Sequence, residues 1–260
     1  MKIFALAAVV IVTGCVGLDG DSDESDQGGG GGKADGPTSA VELAPTYGLE
    51  LVSSMKMQDP RETDPAKRNY TLTMRARAQV KTEVTTTGAK LTVKICDVRL
   101  PQVSGYQPEL DAAFVSSLPA LTINATTGTQ LSTDPVALVL GASLAKPLTD
   151  PLPAAGSTRI KDQDQDGNAG VSIRIPGYGS IFAALRVTLD LDAPLTSAAA
   201  ITGKAEVGLD QKVYGDDIWF YDAVSSAAET EANVKLVSAT NTFKMKRDAT
   251  TCAKVRAQFP

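Results

Sequence analysis

In Tyr70-Thr71-Leu72-Thr73-Met74-Arg75-Ala76-Arg77-Ala78-Gln79-Val80, the polarity of the side chains alternates from one residue to the next. Every even position is apolar or small, and every odd position is polar. A period of two gives a β-strand one buried face and one wet face. One-sided strands of this kind belong to antiparallel sheets, because parallel sheets are covered on both faces. Residues 185–192 and 201–209 alternate in the same way, so the pattern predicts an antiparallel β domain.

Working outward from this stretch, apolar residues of one parity predict a first strand at 47–57 and a short strand at 171–175. Val234 and Leu236 early and Phe243 and Met245 late predict a last long strand at 232–246. Between residues 90 and 100 the apolar parity changes after Ile95. A change of phase within a strand predicts a β-bulge, which would place Cys96 on the face opposite Ile95.

Helix-forming patterns are scarce in this chain. Residues 108–118 form the best candidate, with Pro108 in the first turn and an apolar stripe at spacing four. Residues 136–144, after Asp134-Pro135, fit either a buried strand or a second helix. We therefore predict an all-β fold, an antiparallel sandwich or an open barrel with one or two short helices. The Pro-rich stretch 146–153 is the one candidate for an internal boundary, and we predict a single domain over residues 39–260.

The N-terminus has the layout of a secretory signal peptide, with Lys2 followed by an apolar run from Ile3 to Val12. This run is shorter than the roughly 20 residues that a membrane-spanning helix needs. Val12-Thr13-Gly14-Cys15 resembles the lipobox of bacterial lipoproteins. The resemblance implies that residues 1–15 are a lipoprotein signal peptide whose Cys15 becomes the lipidated N-terminus. The alternative is an ordinary cleaved signal peptide with a chance cysteine.

Residues 16–38 differ in composition from the rest of the chain, with six acids, one base and five consecutive glycines, Gly28 to Gly32. Such a stretch cannot bury enough apolar surface to offset its ordering entropy, so we predict a disordered, acidic tether. Six acids and two bases, Lys2 and Lys33, lie before residue 36. The chain's net charge of −5 therefore leaves −1 for the remainder. A nearly neutral body argues against nucleic acid as a partner.

The chain has three cysteines. If Cys15 carries lipid, Cys96 and Cys252 remain, and one even pair in an exported domain predicts a disulfide. The alternative is two unpaired, buried thiols. A zinc site is not expected, because the chain has no histidine to join two cysteines.

Residues 162–168, Asp162-Gln163-Asp164-Gln165-Asp166-Gly167-Asn168, place acids at alternate positions before a glycine. Carboxylates at this spacing converge on one centre, the glycine permits a sharp turn, and Asn168 can offer its backbone carbonyl. The segment resembles the calcium loops of EF-hand, dockerin-like and thrombospondin-type repeats. The resemblance implies a calcium site made by Asp162, Asp164, Asp166 and Asn168.

This segment departs from an EF-hand, because position twelve is Ile173 instead of a bidentate Glu. Water or a distant acid would complete the site, and Asp190, Asp192, Asp216 and Asp217 are candidates. We expect weak binding, at roughly 0.1 to 1 mM, and a structural role for calcium. The alternative is a solvated acidic turn.

No pattern in the chain indicates catalysis. The absence of histidine excludes His-based triads, and neither a nucleophile elbow nor a phosphate-binding glycine loop is present. The aromatic cluster Trp219-Phe220-Tyr221 fits a core or a binding surface, with core preferred. We therefore predict that the protein is not an enzyme, and no residue is assigned to partner binding.

Two function hypotheses remain. The first is a lipid-anchored lipoprotein of the bacterial envelope whose non-catalytic β domain acts in adhesion, scaffolding or binding of an envelope protein. In Gram-negative lipoproteins an Asp directly after the lipidated cysteine favours retention in the inner membrane. Because Val16 stands there in this chain, the resemblance implies the outer membrane more than the inner membrane. The second is a carrier of a lipid or other apolar ligand in an open barrel, with space left by the small residues Ala76, Ala78, Gly203 and Ala205.

Overall fold

The computed structural model describes residues 41–58, 69–102, 107–218, 234–236 and 241–260. The predicted signal peptide with Cys15, the predicted tether and Trp219-Phe220-Tyr221 lie outside these residues. No helix in the described ranges is long and apolar enough to cross a membrane.

Twelve strands and two short helices make up the described chain. The strands are β1 Thr46–Gln58, β2 Asn69–Thr85, β3 Gly88–Arg99, β4 Glu109–Leu110, β5 Leu121–Thr126, β6 Gln130–Thr133, β7 Val136–Leu140, β8 Val171–Ile175, β9 Gly179–Pro194, β10 Ala200–Asp216, β11 Val234–Leu236 and β12 Thr242–Arg247. The helices are α1 Ala112–Ser117 and α2 Cys252–Gln258.

All strand pairings are antiparallel, and eight strands close into a ring. Their order is β10-β12-β1-β2-β3-β5-β6-β9, and β9 pairs back onto β10. The second edge of β9 pairs in turn with β8, β7 and β6, while β4 extends β8 and β11 extends the pairing of β1. The predicted all-β, antiparallel fold is confirmed.

Two apolar clusters fill the interior. One lies where β12, β1, β2, β3, β5, β6, β9 and β10 meet, and it includes the fully buried Tyr47 and Phe243. The other lies between the β2–β3 half and the β8–β9–β10 half, where α1 contributes Phe114 and Val115. The inward residues of β2 follow the alternation in the sequence, with Leu72, Met74, Ala78 and Val80 all buried.

The predicted bulge in β3 is present at Cys96. Arg77 of β2 pairs with Asp97 and Ala78 pairs with Ile95, so Cys96 is the extra residue. Ile95 therefore joins the interior, whereas Cys96 lies on the outer face beneath α2.

The helix predicted at 108–118 is shorter than expected. It begins after Asp111, whose carboxylate accepts a hydrogen bond from the backbone nitrogen of Phe114 at 2.8 Å. Glu109 and Leu110 pair with β8 instead. An N-cap side chain satisfies a free N–H of the first turn, and this decides where the helix starts.

One further element differs from expectation, and an open alternative is decided. The long strand predicted at 232–246 is two described strands, β11 and β12, which pair with successive parts of β1. Asn241 precedes β12, and its side-chain oxygen accepts a hydrogen bond from the backbone nitrogen of Ser54 at 2.9 Å. Residues 136–140, which fitted strand or helix, form strand β7.

The Pro-rich stretch 146–153 crosses the outer face of β9 and β10. Arg186 donates hydrogen bonds to the carbonyls of Pro147 and Asp150, and the Tyr214 hydroxyl donates to the carbonyl of Pro153 at 2.9 Å. Strands that precede and follow this stretch in sequence belong to the same sheet. Side-chain hydrogen bonds hold the stretch against that sheet.

Candidate metal centre

The acidic loop lies between β7 and β8 and is fixed to the sheet at both ends. Lys161 N donates to the Gly141 carbonyl at 3.0 Å, and Gly141 N donates to Gln163 Oε1 at 2.9 Å. Gln163 N donates to the Gly170 carbonyl at 3.2 Å, which closes the base of the loop. The chain can enter β8 here because Gly170 adopts a φ of +99° close to the backbone of Ala183.

The structure brings the three predicted aspartates together. Carboxylate oxygens of Asp162, Asp164 and Asp166 all lie within 4.8 Å of one another. Two residues between and beside them have left-handed backbone, Gln165 at φ 61° and Gly167 at φ 89°. These turns direct alternate side chains toward one point, as the spacing in the sequence predicts.

Backbone N–H groups donate hydrogen bonds to all three carboxylates, and those to Asp162 and Asp166 come from within the loop itself or its end. Asp162 accepts hydrogen bonds from Asp166 N at 3.1 Å and from Gly167 N at 2.9 Å. Asp166 accepts from Asn168 N at 2.9 Å and from the Ser172 hydroxyl. The role expected for Asn168, a carbonyl ligand, stays a prediction.

Asp164 differs from its two neighbours. Its Oδ2 accepts a hydrogen bond from Ser172 N at 2.7 Å, but its Oδ1 is buried and has no hydrogen-bond partner among the described residues. A buried oxygen without a donor is unfavourable in the charged state. A cation beside Oδ1 would satisfy it.

The electrostatics of the two inner carboxyls point in opposite directions. Burial raises the pKa of Asp164, and the charges of Asp166 and Asp162 raise it further against the opposing hydrogen bond from Ser172. Burial also raises the pKa of Asp166, but hydrogen bonds from Ser172 and Asn168 outweigh this, so the pKa of Asp166 is lowered. No Lys or Arg in the described ranges forms an ion pair with the three carboxylates.

Ser172 is the residue of this loop that the sequence analysis missed. Its backbone nitrogen holds Asp164 and its hydroxyl holds Asp166. The signal was its position, since Ser172 is the outward residue between the buried Val171 and Ile173 of β8. Ser172 lies ten residues after Asp162, so its hydrogen bonds to Asp164 and Asp166 form only when β8 packs beside the loop.

The distant acids considered as extra ligands do not join the cluster in the described chain. Asp192 accepts hydrogen bonds from Gln130, and Asp217 accepts one from Ser180 N. Ile173, at the position of the EF-hand glutamate, is fully buried in the interior. The protein side chains therefore supply three carboxylates, and water would supply the rest of a coordination shell.

The arrangement is suited to holding a hard cation. Its donors are all carboxylate oxygens, which suit Ca²⁺ or Mg²⁺ better than softer metals, and the loop is open to solvent at Asp162 and Asp166. With three protein carboxylates and a flexible number of waters, Ca²⁺ fits better than Mg²⁺, which demands near-ideal octahedral geometry.

The second feature with chemical content is the predicted Cys96–Cys252 disulfide, which the structure contains. The two Cα atoms lie 5.2 Å apart and are separated by 156 residues in sequence. Cys252 is the first residue of α2, a helix that the sequence analysis missed. Its signals are Thr251, whose hydroxyl caps the helix through Lys254 N at 3.2 Å, and Val255 and Phe259, apolar at spacing four and both buried.

No family model, no curated protein and no solved structure matches this chain.

Proposed function

We propose that this chain is an exported bacterial lipoprotein, anchored to a membrane through Cys15, with a non-catalytic β domain that acts in envelope adhesion, scaffolding or partner binding. We further propose that the loop at 162–168 binds one calcium ion in a structural role. The outer membrane is preferred over the inner membrane because Val16 follows Cys15.

The observation that carries the proposal is the pairing of Cys96 with Cys252. Disulfides persist in oxidising compartments and are rare in the reducing cytosol. With these two cysteines paired, Cys15 is the one cysteine left over. It is also the cysteine that ends the apolar N-terminal run, where a lipid attachment site is expected.

The calcium loop is supported by the convergence of three carboxylates and by the buried, unpartnered Oδ1 of Asp164. Without a cation, three negative charges lie within one loop that has no ion-pair partner in the described ranges. A bound cation would neutralise them and fix the chain just before β8. Nothing in this geometry points to a regulatory opening, so a structural role is preferred.

The carrier hypothesis gains no support around Gly203, one of the small residues on which it depended. A Cβ at this position would lie 2.5 Å from the Cβ of Ala193 and 2.7 Å from Cε1 of Phe243. Ala78 and Ala205 are buried in the same apolar cluster. Since neighbouring side chains fill the space at Gly203, we do not propose a carrier.

The experiment that tests the anchor is intact-protein mass spectrometry of the chain isolated from the membrane fraction of an expressing bacterium. We expect an N-terminus at Cys15 with added mass from acyl chains, and loss of both in a Cys15→Ser variant. Thr13→Ala is the matched control, because it keeps a small residue in the predicted lipobox and should be lipidated normally. An unmodified Cys15, or cleavage at another residue, would contradict the proposal.

A further inference from the structure

The strand order divides the ring into two halves of opposite charge. The strands β12, β1, β2 and β3 are consecutive neighbours, and α2 packs on their outer face. In this half, the described residues 46–54, 71–99 and 242–258 contain four acids and eleven bases: Arg75, Arg77, Lys81, Lys90, Lys94, Arg99, Lys244, Lys246, Arg247, Lys254 and Arg256. The described residues 107–218, which include the ring strands β5, β6, β9 and β10 and also the acidic loop, contain thirteen acids and seven bases.

A nearly neutral total therefore hides a formal charge of about +7 on one side and about −6 on the other. We call the outer surface of β12, β1, β2, β3 and α2 the basic face. The sequence does not reveal the basic face, because its bases lie in two distant segments, 75–99 and 244–256. These segments come together only when β12 pairs with β1.

All bases of the basic face except Arg77 are exposed, and three of the eleven form ion pairs with described acids. Arg77 lies between Glu50 at 3.7 Å and Asp97 at 3.4 Å, and Arg75 is 48% exposed and 3.9 Å from the same Glu50. Arg247 lies 3.3 Å from Asp248. The other eight bases form no ion pair within the described ranges, so their charges are available to a partner.

Helix α2 adds to this surface instead of covering its charge. Lys246 Nζ donates to the Gln258 carbonyl at 2.9 Å and lies 4.8 Å from the ring centre of Phe259. Arg256 donates to the Cys96 carbonyl at 2.6 Å. These contacts are to neutral groups, and neither cation forms an ion pair with an acid of the described ranges.

The path of the chain places the basic face beside the proposed anchor. The first described residues run into β1 at Thr46, which pairs with Lys81, and Pro45 O accepts a hydrogen bond from Thr82 N. The neighbouring residue Tyr47 pairs with Arg247. The predicted tether therefore enters the domain at one end of the basic face. A coil of about 25 residues has a root-mean-square reach of about 25–30 Å, so an anchored domain would stay close to the lipid headgroups.

We propose that the basic face docks on an anionic membrane surface, with phospholipid headgroup phosphates as the ligands and the acidic half of the ring turned away. This proposal rests on the proposed anchor for its location but not for its chemistry. Clustered Lys and Arg side chains attract anionic lipid additively, and the attraction is screened by salt. The face is a sheet surface with fixed side chains, so it would set the orientation of the domain as well as its affinity.

The test is binding of the full chain to vesicles of neutral phosphatidylcholine, with and without about 30% anionic phosphatidylglycerol, at low and high salt. It is made in a Cys15→Ser background so that acyl chains do not contribute. We expect an anionic preference that falls about tenfold or more when Lys81, Lys94, Lys244 and Lys246 are all changed to Gln. The matched control changes Lys146, Arg159, Lys161 and Lys212 of the acidic half to Gln, and it should keep the preference within about twofold.

Equal loss in the two quadruple variants, or no anionic preference in the parent, would overturn the proposal. The anionic preference could also emerge only after the acids of the predicted tether are replaced by amides. That result would mean that the basic face binds the tether instead of the membrane, and it would overturn the proposal too. Tighter binding to duplex DNA than to vesicles would do the same in favour of nucleic acid. Because lipidation of Cys15 is measured separately, an unlipidated protein with an intact anionic preference would remove the anchor and leave the docking face standing.

Discussion

Asp164 is the residue on which the proposed calcium site depends most. One of its oxygens is held by Ser172 N, and the other is buried without a donor in the described chain. The raised pKa of Asp164 reports the same conflict, since burial and two neighbouring carboxylates disfavour its charge. The loop is therefore pre-arranged but electrostatically unfavourable until a cation is present.

Calcium should stabilise the folded protein through this residue. For a dissociation constant of roughly 0.1 to 1 mM, 2 mM calcium adds about 0.6 to 1.8 kcal/mol to the free energy of unfolding. The thermal midpoint should rise by about 2–6 °C in calorimetry. Asp164→Asn should abolish the rise, whereas Asp134→Asn, at an exposed acid outside the loop, should keep it. A rise of equal size in both variants would place calcium elsewhere.

Tyr214 makes stability depend on pH in the alkaline range. Burial raises the pKa of Tyr214 to about 12, and its hydroxyl donates to the Pro153 carbonyl. The folded state holds this proton more tightly than the unfolded state, so the contribution is complete below about pH 10 and is lost as the pH rises toward 12. In urea unfolding from pH 8 to 12, Tyr214→Phe should cost about 1 kcal/mol at pH 8, and the difference from wild type should shrink above pH 10. A difference that stays constant across this range would contradict the assignment.

At the level of elements, alternation predicted β1, β2, β3, β8, β9 and β10, because one buried face imposes a period of two on these strands. The short strands β4, β5 and β6 were not predicted, and the sequence of β7 fitted either a strand or a helix. The bulge at Cys96 was predictable for the same reason, since an apolar parity that changes after Ile95 requires one extra residue in the strand. The loop at 162–168 was predictable because its donors are local in sequence. The contacts of Ser172 and the basic face were not, because each depends on residues that meet only through the fold. Helix α2 did have local signals, the cap at Thr251 and the apolar pair Val255 and Phe259, but the sequence analysis did not use them.

Gly170, at the junction between the acidic loop and β8, is packed closely against β9. Gly170 and Gly156 both have positive φ, +99° and +80°, but only Gly170 is crowded, with the carbonyl carbon of Ala183 2.7 Å from a would-be Cβ. Gly156→Ala should cost about 1 kcal/mol for the backbone conformation alone. Gly170→Ala should cost about 3 kcal/mol or more, because β9 must move, and should also weaken the calcium effect. If both variants lose the same free energy of unfolding in chemical denaturation, the loop backbone must move to accommodate the new Cβ at position 170, and β9 stays in place.

At the scale of the whole molecule, the disulfide joins the third strand to the last helix. In the chain-entropy model a closed loop of 156 residues is worth about 5 kcal/mol. The double variant Cys96→Ser with Cys252→Ser should lose a large part of this in urea unfolding. Cys15→Ser is the matched control and should leave the free energy of unfolding unchanged. An unchanged double variant would mean that packing of Val255 and Phe259 holds the C-terminus without the bond.

The fold also separates two opposite charges within one nearly neutral body. Composition alone argued only against nucleic acid as a partner, because it sums charges that the fold separates. The ring closure through β9 and β10 is what turns two sets of residues into two sides. The total charge therefore bears on solubility, whereas the proposed orientation of the domain on a membrane depends on how the charge is distributed.

The Cys96–Cys252 bond also has a consequence for cleavage of the chain by a protease. A single cut anywhere between residues 97 and 251 leaves both fragments covalently joined. We expect a nicked protein to migrate as two bands after reduction and as one band without it. At a surface, the bond would keep the C-terminal piece attached to its anchored N-terminal piece, so that damage need not release the domain.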